Sequence, residues 1–334
     1  MGLEWNLDLA AVGELNLLTN WDPTTPVPEL LKREGPDQGV QRMLTAFSRG
    51  LDEAVSFGTH VLEWTGDVQP GGDELVPPLF LLRHVLELVD GISIQIRHAC
   101  VDPCETHLRA LLEASLGIKF MLQDKSRKRS MAFMVCRAHR RLAVYHSLDL
   151  STQQGKTLAK KLKNDPAGMK VNLQNLPSVQ PAIDNLESLL ARPEYAEVEV
   201  EYQRTKRNLK RTPPWHGLYD GPTTLEQVAD CVNRAAIYQV FYRHWSGRTH
   251  GTGVVEGRLS PGKDGTGAMI QLRFPVEAQQ VTQMALNLAL GTYMDCLSEL
   301  APERKRNYEE WYAAKMRSFF QKLSVGPILT VSRK

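Results

Sequence analysis

The chain has 334 residues, a formal net charge of +2, 42% hydrophobic and 23% charged residues. Those values exclude a largely disordered, collagen-like or low-complexity chain and leave enough length for a substantial core. No stretch reaches the roughly 18 apolar residues of a membrane helix, and the start MGLEWNLDLAAVGELNLL lacks the basic front of a signal peptide. With five cysteines, the reading is a cytoplasmic protein of a reducing compartment, without a membrane partner.

Taken in order, residues 1–38 hold Pro23, Pro26, Pro28, Gly35 and Pro36 and read as an irregular N-terminal arm. From Val40 to Trp64, the positions Val40, Met43, Leu44, Phe47, Leu51 and Val55 recur at three and four, which predicts a helix. Pro70, Gly71 and Gly72 break it. Pro77 to Ala99 predicts a long apolar helix. Asp102 followed by Pro103 reads as a cap and first turn opening a second, which runs to Leu122 as its antiparallel partner. Ser126–Leu148 and Ser151–Leu162 follow, then a Pro-rich loop over 164–181. Pro193–Arg211 has a thin apolar stripe and is expected as an exposed helix. Thr223 or Thr224 caps one running to Trp245. Residues 251–275 change character and read as a β-hairpin or loop, before closing helices over 276–323. The expected fold is an all-α, multi-helix bundle: a single helical domain over 39–325 with its core at 76–250, then a tail at 326–334. No Gly-rich phosphate loop and no strand–helix alternation is present.

Charge is unevenly placed. Residues 1–124 sum to −11, 125–215 to +10 and 216–334 to +3. The basic clusters at 125–163 and 204–211 are the candidate surface for RNA or another polyanion. The alternative is a set of solvated helix faces, covered in part by the acidic first third within the chain or across a homodimer.

Three constellations can carry chemistry. Arg109 and Glu113 are four apart on an otherwise apolar helix. They form either a helix-locking ion pair or a cleft-lining arginine with its carboxylate orienter. Tyr242–Thr252, YRHWSGRTHGT, places Arg243, Ser246 and His250 on one helical face, with His244 and Arg248 beside them and Gly247, Gly251 and Gly253 marking a helix end. An imidazole beside guanidinium groups suits acid–base work on a phosphodiester; the alternative is capping, with His250 at the negative end of the helix dipole. Cys100, Cys104 and His107, with Cys136 and His139, are ligand types that zinc accepts, but not at finger or ribbon spacing. Core packing is the competing reading, and neither metal nor cofactor is expected.

A Leu/Ala-rich helix, a turn and Arg109-x-x-x-Glu113 come first. About a hundred residues later stand Trp215, Leu225, Val228, Ala229, Tyr238, Tyr242, Arg243, Ser246 and His250. This series resembles a widespread bacterial family, helical and cytoplasmic, known only as a domain of unknown function; the resemblance spans about residues 76–250. More distantly, Arg243-His244 with His250 six positions on resembles the HEPN motif. HEPN domains are small, helical and often dimeric, and many are metal-independent endoribonucleases of toxin–antitoxin and phage-defence systems. That resemblance implies that His250 activates a ribose 2′-hydroxyl, Arg243 stabilises the phosphorane and His244 is the polar neighbour. Two other readings stand beside it: a non-enzymatic interaction or sensor protein with a buried polar network, and a binder of a small anion through Arg109, Arg243 and Arg248.

Overall fold

The computed structural model describes residues 35–67, 73–123, 126–165, 177–253, 259–261 and 267–330. Most of the expected N-terminal arm and the end of the tail lie outside them. The first helix, α1, runs over Gln38–Gly66 and is capped by the Asp37 carboxylate, which accepts from the Gly39 and Val40 amides at 2.8 and 3.0 Å. Its three–four spacing buries Leu44, Phe47, Leu51, Ala54 and Val61. Helix α2, Val76–Arg97, packs on it through Leu82, Val85, Val89 and Ile92. Helix α3, Cys104–Leu122, returns along α2. It starts one residue after the expected first turn, so Pro103 itself stands at the cap position.

A long helix near the end of the chain, α10 (Ala278–Leu300), completes this core by packing on α1, α2 and α3. The contact is close. A Cβ built on Gly58 would come within 2.3 Å of Leu86 and 2.4 Å of the Tyr293 hydroxyl, which donates to the Ala54 carbonyl at 3.0 Å. The last helical run, α11, comprises Lys305–Trp311, a π-helical turn at Tyr312–Met316 and Arg317–Ser324. It covers α1 and α10, and Trp311 stacks on Phe57 at 3.9 Å.

A second, smaller core gathers on α4, Ser126–Leu148. Met131, Val135 and Cys136 of that helix meet Val198 and Tyr202 of α7, Ala196–Leu209, and Tyr195 just before it. Helix α7 was expected to be exposed; its stripe at 195, 198 and 202 instead buries one complete face, because aromatic residues there supply the area that the thin pattern lacks. Between them come α5, Gln153–Lys163, and α6, Gln180–Leu190, the latter unforeseen because Pro177 and Pro181 read as loop; Pro181 in fact sits in its first turn. Trp215 packs against both cores.

The helix expected from Thr224 to Trp245 is two helices. Helix α8 covers Leu225–Cys231 and ends where Asn233 turns left-handed, at φ 57°. The chain restarts as α9, formed by Ala235–Ile237, a π-helical turn at Tyr238–Tyr242 and Arg243–Thr249. The β-structure among the described residues is a three-residue antiparallel pairing of Leu259–Pro261 with Gly267–Met269; it forms no layer of the fold, which is an all-α bundle.

Candidate functional site

Arg109 and Glu113 stand one turn apart on α3, and Arg109 Nε donates to Glu113 Oε1 at 3.1 Å. Helix α9 lies across them. From it the Tyr242 hydroxyl donates to the same Glu113 oxygen at 2.7 Å and accepts from Arg109 Nη2 at 3.1 Å. The third branch of the guanidinium, Nη1, lies 3.2 Å from His250 Nε2. A guanidinium only donates, so Nε2 accepts and the imidazole proton resides on Nδ1. The two expected segments, 141 positions apart in the chain, therefore meet at one point.

The electrostatics follow from this closed ring. Burial would pull the Arg109 guanidinium downward, but the bonds to Tyr242 and Glu113 outweigh it and hold its pKa above the ordinary value. Burial, reinforced by the bond to Glu113, pushes the Tyr242 phenol up to about 12, so the hydroxyl keeps its proton near neutrality. Tyr238 stacks on Tyr242 at 4.6 Å, and the Arg109 guanidinium lies 5.0 Å from the Tyr242 ring centre. Tyr238 and Tyr242 begin and end the π-helical turn, a local widening that recurs at functional sites. Arg109 is 19% exposed while Glu113 is 44% exposed, and His250 is open to solvent.

One turn earlier on α3 a second pair extends the seam. Glu105, 6% exposed, lies 3.3 Å from Arg248 Nε and 3.6 Å from His244 Nε2. Burial raises the Glu105 pKa, against the opposing pull of Arg248 and His244. Arg248 is itself 9% exposed, and its Nε and Nη1 make no hydrogen bond. Glu105 was missed in the sequence, although it precedes Arg109 by the same four-residue step that separates Arg109 from Glu113.

The remaining expected residues are placed elsewhere. Arg243 pairs with Glu226 of α8 at 2.9 Å and is 64% exposed, so it does not share the contact of His250. The reason lies in the helix end. Thr249 is the last helical residue and His250 follows at φ −93°, ψ 5°, so regular rotation no longer relates 243 to 250. Tyr242, one position earlier, is the helical residue that shares the partner of His250. The Ser246 carbonyl accepts from the His250 amide at 3.0 Å, and the Ser246 hydroxyl takes no part in the seam. The three arginines Arg109, Arg243 and Arg248 thus have separate carboxylate partners: Glu113, Glu226 and Glu105.

The sulfur and imidazole groups also divide. Cys104 Sγ donates to the Cys100 carbonyl at 3.5 Å, and burial pushes the Cys104 and Cys136 thiols up to about 12. His107 approaches the Pro103 carbonyl, whereas His139 pairs with Glu199 at 2.8 Å and stacks on Tyr202. Among the described residues no group of three or more His, Cys, Asp or Glu is arranged to hold a metal ion. The basic clusters are divided as well. Lys128 pairs with Glu197, and Arg204 with Glu201 and Asp220, while Lys156, Lys160, Lys161 and Lys163 stand exposed on and around α5. Among the described residues no helix is long and apolar enough to cross a membrane.

No curated protein and no solved structure matches the chain. A sequence model of a family of unknown function, DUF5677, matches residues 76–265, more than half of the chain. That span runs from the start of α2 through α9 and contains every residue of the seam. With both halves of the Arg109–His250 contact inside the matched segment, the chain belongs to this family of unknown function, DUF5677.

Proposed function

We propose that the chain is a metal-independent RNA endonuclease with His250 and Arg109 at its centre. The observation that carries this reading is the 3.2 Å approach of the His250 Nε2 to the Arg109 guanidinium at an exposed helix end. An incoming phosphate competes for Nη1 and draws it off the imidazole, which frees the Nε2 lone pair. His250 then removes the ribose 2′ proton, the 2′ oxygen attacks phosphorus, and the 5′ oxygen leaves with the proton that His250 has taken up. The products are a 2′,3′-cyclic phosphate and a 5′-hydroxyl end. Arg109, oriented by Glu113 and Tyr242, faces the charge that builds on the phosphorane. Arg243 is held by an exposed ion pair with Glu226, of small worth, and can turn to a neighbouring phosphate; His244 borders the same strand path, while Arg248 stays buried against Glu105.

The test is cleavage of single-stranded RNA in EDTA with analysis of the new ends. His250→Ala is expected to lower the rate by about 10²- to 10⁴-fold, the usual reach of a general acid–base. Arg109→Lys is expected to be similarly impaired, since a point charge cannot replace a three-way fork. Wild-type cleavage by His250→Ala would remove His250 from the chemistry.

A second reading rests on the closed Arg109–Glu113–Tyr242 ring: a non-enzymatic protein in which this network fixes α9 on α3. Melting temperatures separate the two. Under the structural reading Glu113→Ala and His250→Ala both melt several degrees lower; under the enzymatic one His250→Ala melts like wild type and has lost activity.

A further inference from the structure

A cavity opens further along α3. Arg109, Glu113 and Phe120 follow one another at four and seven, so they form one stripe, and Phe120 stands about 16 Å from Arg109 by the helical rise. The cavity, about 530 Å³, is lined by Phe120, Lys128, Trp215, His216, Tyr219 and Gln227 among others. That volume is typical of a small-ligand site.

Its aromatic wall is fixed. Trp215 is held edge-on by Phe120 at 5.8 Å and by Phe133 at 5.6 Å. Its polar groups keep capacity for a ligand. The Tyr219 hydroxyl is buried and has no hydrogen-bond partner. His216 Nδ1 donates to the Pro222 carbonyl at 2.6 Å, which leaves Nε2 as an acceptor; burial lowers the pKa of this ring, consistent with the neutral form. Gln227 Oε1 accepts from the Thr223 and Thr224 amides, which leaves its NH2 as a donor. The segment carrying Tyr219 is strained, with Tyr219 and Asp220 both left-handed at φ 59° and 57°. It is held there by the bond from the Tyr219 amide to Glu201 at 2.7 Å and by the Arg204–Asp220 pair at 2.9 Å. Two adjacent non-glycine residues in that region persist only where the surroundings enforce them, and such strain gathers at ligand clamps.

We infer that this cavity is a nucleobase subsite, which takes one unpaired base against Trp215 with the Tyr219 hydroxyl, His216 Nε2 and the Gln227 amide on its polar edge. The inference rests on the nucleic-acid reading of the His250 site for its strand source; a free nucleotide would offer the same chemistry. Stacking on aromatic rings tolerates any base, and the convergent donors and acceptors add preference among them.

The test uses the full chain carrying His250→Ala, so that RNA binds without being cut. Cys231 is exposed and lines the cavity, so its alkylation rate, followed by peptide mass spectrometry, reports occupancy. A pentaribonucleotide, or AMP, UMP, CMP or GMP, is expected to slow alkylation at Cys231. Protection by the oligomer alone identifies a strand, and protection by a mononucleotide alone identifies a free nucleotide; both support a base subsite. Tyr219→Phe is expected to raise the melting temperature, because it deletes an unpaired buried hydroxyl, and to weaken the protecting ligand about tenfold. Loss of binding together with a higher melting temperature is a pairing that a merely structural tyrosine cannot give. The subsite is overturned if none of these probes protects Cys231, or if Tyr219→Phe binds as tightly as its parent. Protection by a chain whose wild type does not cut RNA would sink the nuclease and keep the subsite; cutting without protection would do the reverse.

Discussion

Glu201 shows how a single side chain can organise a region. It sits on α7 with little exposure and accepts from Arg204 Nε at 2.7 Å, Thr205 Oγ1 at 2.9 Å and the Tyr219 amide at 2.7 Å. The Arg204 bond foremost, with the Tyr219 and Thr205 bonds, holds its pKa below the ordinary carboxylate value, against a smaller upward push from burial. A carboxyl depressed in the folded state stabilises the fold above its unfolded pKa, and that contribution vanishes as pH falls through the folded pKa. Urea unfolding at several pH values is therefore expected to find Glu201→Gln less stable than wild type at pH 7, with the gap closing below about pH 4. A gap independent of pH would refute the assignment. At this scale the sequence was readable where partners are near in number. Arg109–Glu113 follows from a four-residue step, and the ion pair that it implies is present. Tyr242 on Glu113 and Arg243 on Glu226 were not readable, because side chains 129 and 17 positions apart meet only through the packing of α9 on α3 and on α8.

Helix ends decide much at the scale of the element. Thr224 Oγ1 accepts from the Gln227 amide at 3.3 Å while Gln227 Oε1 returns to the Thr224 amide at 3.2 Å, a reciprocal cap for the short helix α8. Thr224→Ala is expected to cost about 1 kcal/mol in chemical unfolding, and to loosen Gln227 in the neighbouring cavity; an unchanged midpoint would show the cap to be idle. The other end of α8 explains why one helix was expected where two exist. The Arg234 amide reaches the Ala229 carbonyl at 2.7 Å and the Asn233 amide reaches Asp230 at 3.1 Å, around a left-handed Asn233. This termination needs glycine or asparagine in one position only, so no proline or glycine announced it. Long helices such as α1, α4 and α10 were plain from their periodicity, since many turns repeat the same signal. The three-residue start of α9 and its π-helical turn carry no comparable repeat.

Across the whole molecule, the family-matched span does not by itself enclose the core. Helices α1 and α10 lie outside residues 76–265, yet they cover α2 and α3. Their tightest seam is Gly58 against Leu86 and Tyr293. Gly58→Ala would drive a methyl group into atoms 2.3–2.4 Å away, so overpacking is expected to cost about 1–3 kcal/mol. A thermal melt reads this, and a stability equal to wild type would mean that the seam yields. The all-α architecture was legible at this scale because apolar spacing is a local property. The second core on α4 was not, since Tyr195 with Tyr202, and then Trp215, join it from two separate stretches.

The wide turn at Tyr238–Tyr242 holds one more residue than a regular turn requires. Removing a single codon there, for instance that of Val240, would let the helix close to regular turns and leave everything downstream near its present angle. The imidazole at the far end would stay by its guanidinium partner, whereas the same loss in the regular turn that follows would rotate it away by about 100°. A diverged copy one residue shorter at the wide turn can therefore keep the seam, while one shorter beyond it has abandoned the seam even when both of its key letters survive.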